Sequence, residues 1–464
     1  MQKRKSAVSA EAERPIVSKP AIVVEKDEAG EEREFGGAKG AIFLFVFSHS
    51  VLYYFWISQQ FYQGAVLYPG KFNESPQQFV ARLVNHIQHD AAPTKYALSM
   101  YLGFLLFQLV LGFVMPGITI KGLNIPSLGG RQLDYLCNGV AGWWFTLATV
   151  FTLNYTGIFR LSEIANNFGS LMTCAILCAN LFSIIIYVTG LPKQIRMSGN
   201  VIYDFFMGSS LNPRIFYLDL KLWAEIRVSW ILLFLLTCSA AAKQYEDTGR
   251  ITPSMYFMVT AHFLYTNACQ KGEECIPQTW DIAYEKFGWM LIFWNFAGVP
   301  FLYCFQSYFI LRNDVWFENP ITYVGMYVVL FVAYFVWDTA MSQKSRFKSK
   351  EKYVPRWYAQ PQLPFGTLEN PEFIQTKTGS RLLVDGWFRY ARKIYYTADF
   401  TMALLWGLSC GLQGGFLPYF YPVFFITMLT HRYFRDVARC RNKYGEDWDK
   451  YCNKVKYHFI PGVL

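Results

Sequence analysis

FLPYFYPVFFITMLTHRYFRDVARCRNKYGEDWDKYC, Phe416 to Cys452, runs from an apolar half directly into a charged one. The first half, to Thr430, reads as a membrane helix, and from His431 onward the same helix surfaces into water. If it stays helical to Tyr444, Arg432, Arg435 and Arg439 fall at i, i+3 and i+7 on one stripe, with Asp436 beside Arg435 and Lys443 one turn beyond. Three guanidiniums in line make a phosphate-sized electrostatic clamp. They are also what the positive-inside rule places after a membrane helix, where basic side chains snorkel to lipid phosphates. Gly445 stands where a helix would end in a left-handed residue, and Trp448 and Tyr451 restore apolar surface.

The rest of the chain has the composition such a segment needs. Of 464 residues, 53% are hydrophobic and 19% aromatic while only 16% are charged, too apolar for an ordinary soluble domain. The fold class expected is all-α, a polytopic integral membrane protein of about ten transmembrane helices with a cytosol-facing cofactor pocket in its C-terminal half. The ten apolar runs are residues 41–58, 96–115, 138–157, 171–190, 227–243, 253–269, 287–310, 320–338, 399–413 and 416–431. Gln413, Gly414 and Gly415 alone separate the last two, so these form either two spans or one re-entrant hairpin. Residues 1–40, polar and without an apolar period, read as a disordered cytosolic tail, and 41–464 as the membrane domain, with 339–464 binding the cofactor.

Lys and Arg set the orientation. With the N terminus cytosolic, loops after even-numbered spans are cytosolic too, including 191–226 and the strongly basic 339–398, and the C-terminal tail lands on the same side. The segment 270–286 dissents, with Glu273, Glu274, Asp281 and Glu285 on a side that should be basic. The ten cysteines form no CxxC pair and no Cys/His cluster at zinc spacing, so neither a metal nor a disulfide framework is expected. A net charge of +10 on a membrane protein reports loops facing anionic lipid, and nucleic acid is not an expected partner.

Two long patterns bear on identity. HR, RD three residues on, then Cys, KYG, W and YC resembles the C-terminal signature of the sterol reductase family. Far upstream, Gly199 to Arg214, GNVIYDFFMGSSLNPR, resembles that family's other pattern, with Tyr203, Asp204, Gly208, Leu211, Asn212, Pro213 and Arg214 in place. Between them, Leu382 to Phe400, LLVDGWFRYARKIYYTADF, keeps Gly386, Trp387, Arg392, Tyr396 and Asp399 of the family's form but departs from it at Phe388, Lys393, Tyr395 and Ala398, where the common form has a His after the Arg and an Asn before the Tyr. RYARKxxYTxD resembles the branch that reduces the side-chain alkene at carbon 24, the delta-24(24-1), or C-24(28), sterol reductases of ergosterol biosynthesis. The delta-14 and delta-7 ring reductases are the alternative.

What the resemblance implies is an endoplasmic-reticulum enzyme using NADPH on a sterol in a lipid bilayer. An isolated alkene accepts hydride poorly, so protonation to a carbocation must precede or accompany hydride transfer, and the site needs a dinucleotide pocket, an apolar slot and an acid. No GxGxxG follows a strand, so the cofactor must be bound by the membrane domain itself. The family's patterns imply Lys344, Lys348, Arg392, Asp399, Arg432, Arg435, Asp436 and Tyr451 as cofactor residues, Asp436 orienting Arg435. Glu274 and Asp281, near Trp280 and Tyr284, are the candidate proton donors, with Tyr203 a further one. His262, alone in an apolar span, reads as a hydrogen-bonded core residue. Two rivals are a membrane methyltransferase using S-adenosylmethionine, which lacks the Gly199–Arg214 pattern, and a structural protein like the lamin B receptor.

Overall fold

The computed structural model describes residues 33–349, 362–412 and 415–463. Most of the expected N-terminal tail, part of the basic loop with Lys350, Lys352 and Arg356, and the junction residues Gln413 and Gly414 lie outside the described residues, as does Leu464.

Every apolar run falls on a helix. In chain order these are α1 (Gly37–Tyr62), the amphipathic α2 (Pro76–His89), α3 (Lys95–Val114), α4 (Gly139–Tyr155), α5 (Phe168–Gly190), the short α6 (Val201–Met207), α7 (Leu220–Thr248), α8 (Pro253–Lys271), α9 (Trp289–Asn313), α10 (Pro320–Lys348), α11 (Ile394–Leu408), α12 (Phe420–Tyr444) and α13 (Glu446–Lys454). Among the described residues six, those of α1, α3, α5, α7, α9 and α10, are long and apolar enough to cross a membrane. The other four run-bearing helices fall short for local reasons. α4 has 17 residues and α11 has 15. α8 carries His262, Asn267, Gln270 and Lys271 among its apolar residues, and α12 turns charged after Thr430.

Residue size decides which helices lie inside. α5 keeps Cys174, Ala175 and Ala179 fully buried and turns Leu177, Leu181, Ile184 and Val188 outward, so it is apolar on all sides, as a lipid-facing helix must be. In α7 and α9, 83% and 78% of the apolar stretch is buried, against 28% in α3 and in α10, which puts α7 and α9 at the centre. Each central helix holds a π-helical turn, Ala224–Ser229 and Trp294–Gly298, and the two turns pack on one another. Such turns are frequent at functional sites.

The all-α expectation overlooks three two-stranded antiparallel sheets. The largest pairs Ile118–Ile125 with Arg131–Cys137 around Gly129 and Gly130, both at positive φ. Its β-branched start, Ile118–Thr119–Ile120, and its paired glycines carry the hairpin signal. A second small sheet, Phe373–Gln375 with Arg381–Leu383, leads into a compact C-terminal unit whose core is Val384, Trp448, Tyr451 and Val455. Gly445, at φ 52°, ends α12 as its position suggested, its N–H bonded to the Arg441 carbonyl at 2.9 Å. Contacts between Glu34, the 191–219 segment, the 272–288 turn and α12 put the start of the described chain and the charged end of α12 at one end of the bundle. α2 and the Arg250–Asp314 ion pair lie on segments at the other end of their helices.

Candidate functional site

Arg432, Arg435 and Arg439 do share a stripe of α12, and all three meet carboxylates or aromatic faces of the chain itself. Arg432 Nη2 lies 2.7 Å from Asp281 Oδ2, and Arg435 pairs with Glu34 and, at 3.9 Å, with Glu285. The Arg439 guanidinium lies 3.8 Å over the Trp280 ring. Trp280 stacks on Tyr284 at 3.8 Å, and Arg196 covers the far side at 3.9 Å. The acidic excess of this loop therefore has a physical reason, since it faces the basic tail. Glu285 is raised by burial and by its like-charged neighbours Glu34 and Asp281.

A second group of charges forms where α10, α11 and α12 meet. Lys393 Nζ lies 2.5 Å from Asp436 Oδ2, and Lys344 Nζ donates to the Tyr395 hydroxyl at 3.1 Å. Lys348 sits in the field of Lys344 and Lys393, with Asp436 as counter-charge. Three ammonium groups against one carboxylate leave two positive charges over. Burial alone would raise Asp436, but Lys393 and Lys344 overcome it and hold the carboxyl below its usual range. In the same way burial would raise Tyr395, and the two ammoniums outweigh it and lower the phenol. Lys393 and Tyr395 are two of the positions where the chain departs from the family's common form, and both departures line this cluster.

Arg392 is buried and tied to the C-terminal strand of chain. Its Nη2 donates to His458 Nε2 at 2.8 Å and to the Lys456 carbonyl at 3.3 Å, while its Nε is buried without a partner. Burial and the Arg392 charge lower His458, which leaves Nε2 free to accept. Tyr451, also buried, lies in the field of Lys393 and Arg392.

One turn inward from Tyr395 along α11, Asp399 faces the Tyr265 hydroxyl of α8 and the Trp337 indole of α10. The surroundings are aromatic. Tyr265 stacks on Trp337 at 5.0 Å, Trp406 stacks on Tyr421 at 5.0 Å, and Tyr265 meets Trp406 edge-on. Next to Trp337, Asp338 forms a buried ion pair with Lys271 at 2.9 Å, which joins α10 to α8. His262, behind Trp406, is a core residue bonded to the Thr237 hydroxyl at 2.7 Å.

The three residues named from sequence as proton donors have different surroundings. Asp281 is in the Arg432 ion pair. Glu274 is half-buried and follows Glu273, whose Oε2 accepts from the Gly139 N–H at 2.6 Å and which burial pushes up to about 7 against the pull of Arg227. Tyr203 is buried under the Arg33 guanidinium, 5.9 Å from its ring centre. Beside it, Asp204 accepts from the Ser198 and Gly199 N–H groups at 2.8 and 3.1 Å, fixing a tight turn. Tyr265 and Trp337 were beyond sequence reasoning because each is one aromatic in a run full of them. Only the meeting of three helices singles them out.

A cofactor with phosphates fits what is present: two uncompensated positive charges, a buried guanidinium Nε without a partner and a phenol held between ammoniums. The model of a family described as "Ergosterol biosynthesis ERG4/ERG24 family" matches residues 29–464. Among curated proteins, the Delta(24(24(1)))-sterol reductase erg4A of Aspergillus fumigatus is 42% identical over 93% of this chain and 92% of its own length. A Delta(24(24(1)))-sterol reductase of Gibberella zeae is also 42% identical, over 94% of this chain and 74% of its own. A Delta(14)-sterol reductase of Dictyostelium discoideum is 35% identical over 93% of this chain and 92% of its own.

Proposed function

This chain belongs to the ergosterol biosynthesis ERG4/ERG24 family, and we propose that it is an NADPH-dependent sterol reductase acting on the side-chain 24(28) double bond. The observation that carries the reading is a layered one: a cation-rich cluster, Lys344, Lys348 and Lys393, at the end of the bundle, with Asp399, Tyr265 and Trp337 one helical turn further in. NADPH, when bound, supplies the hydride. Lys344, Lys348, Lys393 and Arg392 would hold its phosphates, joined by Arg432 and Arg435 of the tail, with Asp436 setting the Lys393 ammonium and Tyr451 lining the pocket.

Protonation falls to the inner layer. Asp399 and the Tyr265 hydroxyl form a two-membered proton path at membrane depth, where an ionisable group is a functional candidate. Tyr265 would give its hydroxyl proton to the methylene carbon of the alkene, whose π electrons form the new C–H bond and leave a tertiary cation at carbon 24, and protonated Asp399 would return a proton to the phenolic oxygen. Trp337 and Trp406 wall the Tyr265 side of the path with flat apolar faces and exclude water from it. The charged end of the bundle is the cytosolic face of an endoplasmic-reticulum membrane in this reading, in keeping with its Lys and Arg content.

The side-chain assignment is favoured over the delta-14 one by the higher identity to the Delta(24(24(1))) reductases. Sterol profiling of cells lacking the gene tests it. Accumulation of 24-methylene sterols is expected, and accumulation of delta-14 or delta-7 intermediates would move the chain to a ring-reductase role.

A further inference from the structure

Three successive cationic side chains of α12 grip a single turn, Trp280–Glu285. The turn itself is held from beneath. Lys221, buried at 1% exposure, donates from Nζ to the carbonyls of Asp281, Ile282 and Glu285 at 2.9, 2.9 and 2.7 Å. Asp219, buried beside it, caps the start of the same helix by accepting from the Lys221 and Leu222 N–H groups at 3.1 and 3.0 Å. A rigid turn thus presents two carboxylates, Asp281 and Glu285, to guanidiniums spaced i and i+3 on α12.

Exposure distinguishes the Arg432–Asp281 pair from a structural brace, while Glu285 of the second pair is 14% exposed. Arg432 and Asp281 are 53% and 38% exposed, whereas the Lys271–Asp338 pair that ties α8 to α10 is 6% and 9% exposed. Exposed pairs contribute little and are screened by salt, so they yield readily to a stronger anion, and a phosphate monoester carries more charge than a carboxylate. Meanwhile they keep the guanidiniums extended and neutralised in the cofactor-free chain.

We propose that the Trp280–Glu285 turn is an internal placeholder for the cofactor's phosphates: Asp281 occupies Arg432, and Glu285 together with Glu34 occupies Arg435, until an anionic dinucleotide displaces them. The proposal rests on the cofactor reading above. Its consequence is a sign. A protein whose arginines are free only part of the time binds with an affinity reduced by that fraction, so removing the placeholder tightens binding.

The test is NADPH binding to the full-length chain in detergent at low ionic strength. Asp281→Asn is expected to lower the dissociation constant about two- to fivefold, the scale of one exposed ion pair. Asp281→Asn with Glu285→Gln is expected to lower it further, and added salt should erase the gain. A dissociation constant that rises or stays the same in both variants overturns the placeholder and makes the turn a brace. Lys393→Met, measured alongside, separates the two readings. If it weakens NADPH while the amide variants do not tighten it, only the placeholder falls. If it leaves NADPH unaffected, the cofactor reading falls and takes the placeholder with it.

Discussion

Between Gly199 and Arg214 the polar groups are bonded mainly to nearby backbone, whereas between His431 and Cys452 the charges reach for other segments. In the first stretch Asp204 caps two backbone N–H groups and Asn200 accepts from Tyr203, and Gly208 lies against the backbone of Phe287 and Gly288. In the second, Arg432, Arg435 and Asp436 find Asp281, Glu34 and Lys393, each far away in the chain. One pattern encodes a shape and the other encodes contacts that can be exchanged. The first should fail by unfolding and the second by losing affinity.

The largest effect is expected at Gly208, where φ is +101° and an added Cβ would stand 2.6 Å from the Gly288 nitrogen and 2.7 Å from the Phe287 carbonyl carbon. Gly208→Ala should cost about 3 kcal/mol or more, because strain at this φ adds to an overlap that only backbone movement relieves. Yield and thermal unfolding in detergent would show it. Gly445→Ala, at φ +52° with open space around it, should cost about 1 kcal/mol and leave a folded enzyme. Equal losses at the two glycines would erase the contrast.

Next in size is turnover. Asp399→Asn and Tyr265→Phe should each lower the rate by about 100-fold or more while NADPH still binds, the scale of losing a general acid. Glu274→Gln and Asp281→Asn serve as the comparison. If one of those loses turnover with NADPH and sterol binding intact, and the α8–α11 pair does not, the acid sits in the turn. Affinity follows. Lys393→Met should raise the NADPH Michaelis constant about tenfold, since one charge-assisted contact contributes roughly 1.5–3 kcal/mol, and sterol binding should change little.

The smallest effect is on pH. Tyr395 has a folded-state pKa below the free-phenol value because Lys344 and Lys393 outweigh its burial. A depressed acid adds stability that is fully present above its unfolded pKa and is lost as pH falls through the folded one, so stability should rise slightly toward alkaline pH. An early tyrosinate step, ahead of the ordinary phenol range, should appear in the native protein, move upward in Lys344→Met and be missing in Tyr395→Phe.

Much of this architecture was legible along the chain because membrane helices advertise themselves. Each of the ten apolar runs overlaps a helix, six of these helices, among the described residues, are long and apolar enough to cross a membrane, and Gly445, Trp448 and Tyr451 end α12 and fill the C-terminal core as their positions suggested. The hairpin at Ile118–Cys137 escaped notice, since a search for long apolar runs passes over alternating short ones. At the site, Lys344, Lys348 and Asp436 do converge, but on Lys393 and Tyr395, which in the sequence stood only as departures from a family pattern and here supply an ion pair and a phenol. The acidic 270–286 segment looked wrong for its side of the membrane until its partners on α12 were known. Charge rules count residues within one loop, and here the balance is struck between two.

The Glu34–Arg435 contact joins residues 401 positions apart. On a ribosome the glutamate emerges 401 residues before its arginine. α1 must therefore wait while the helices from α2 to α11 are made. The charged face closes only when α12 is made, so a nascent chain stalled before α12 would present Asp281, Glu285 and Glu34 without the arginines that pair with them.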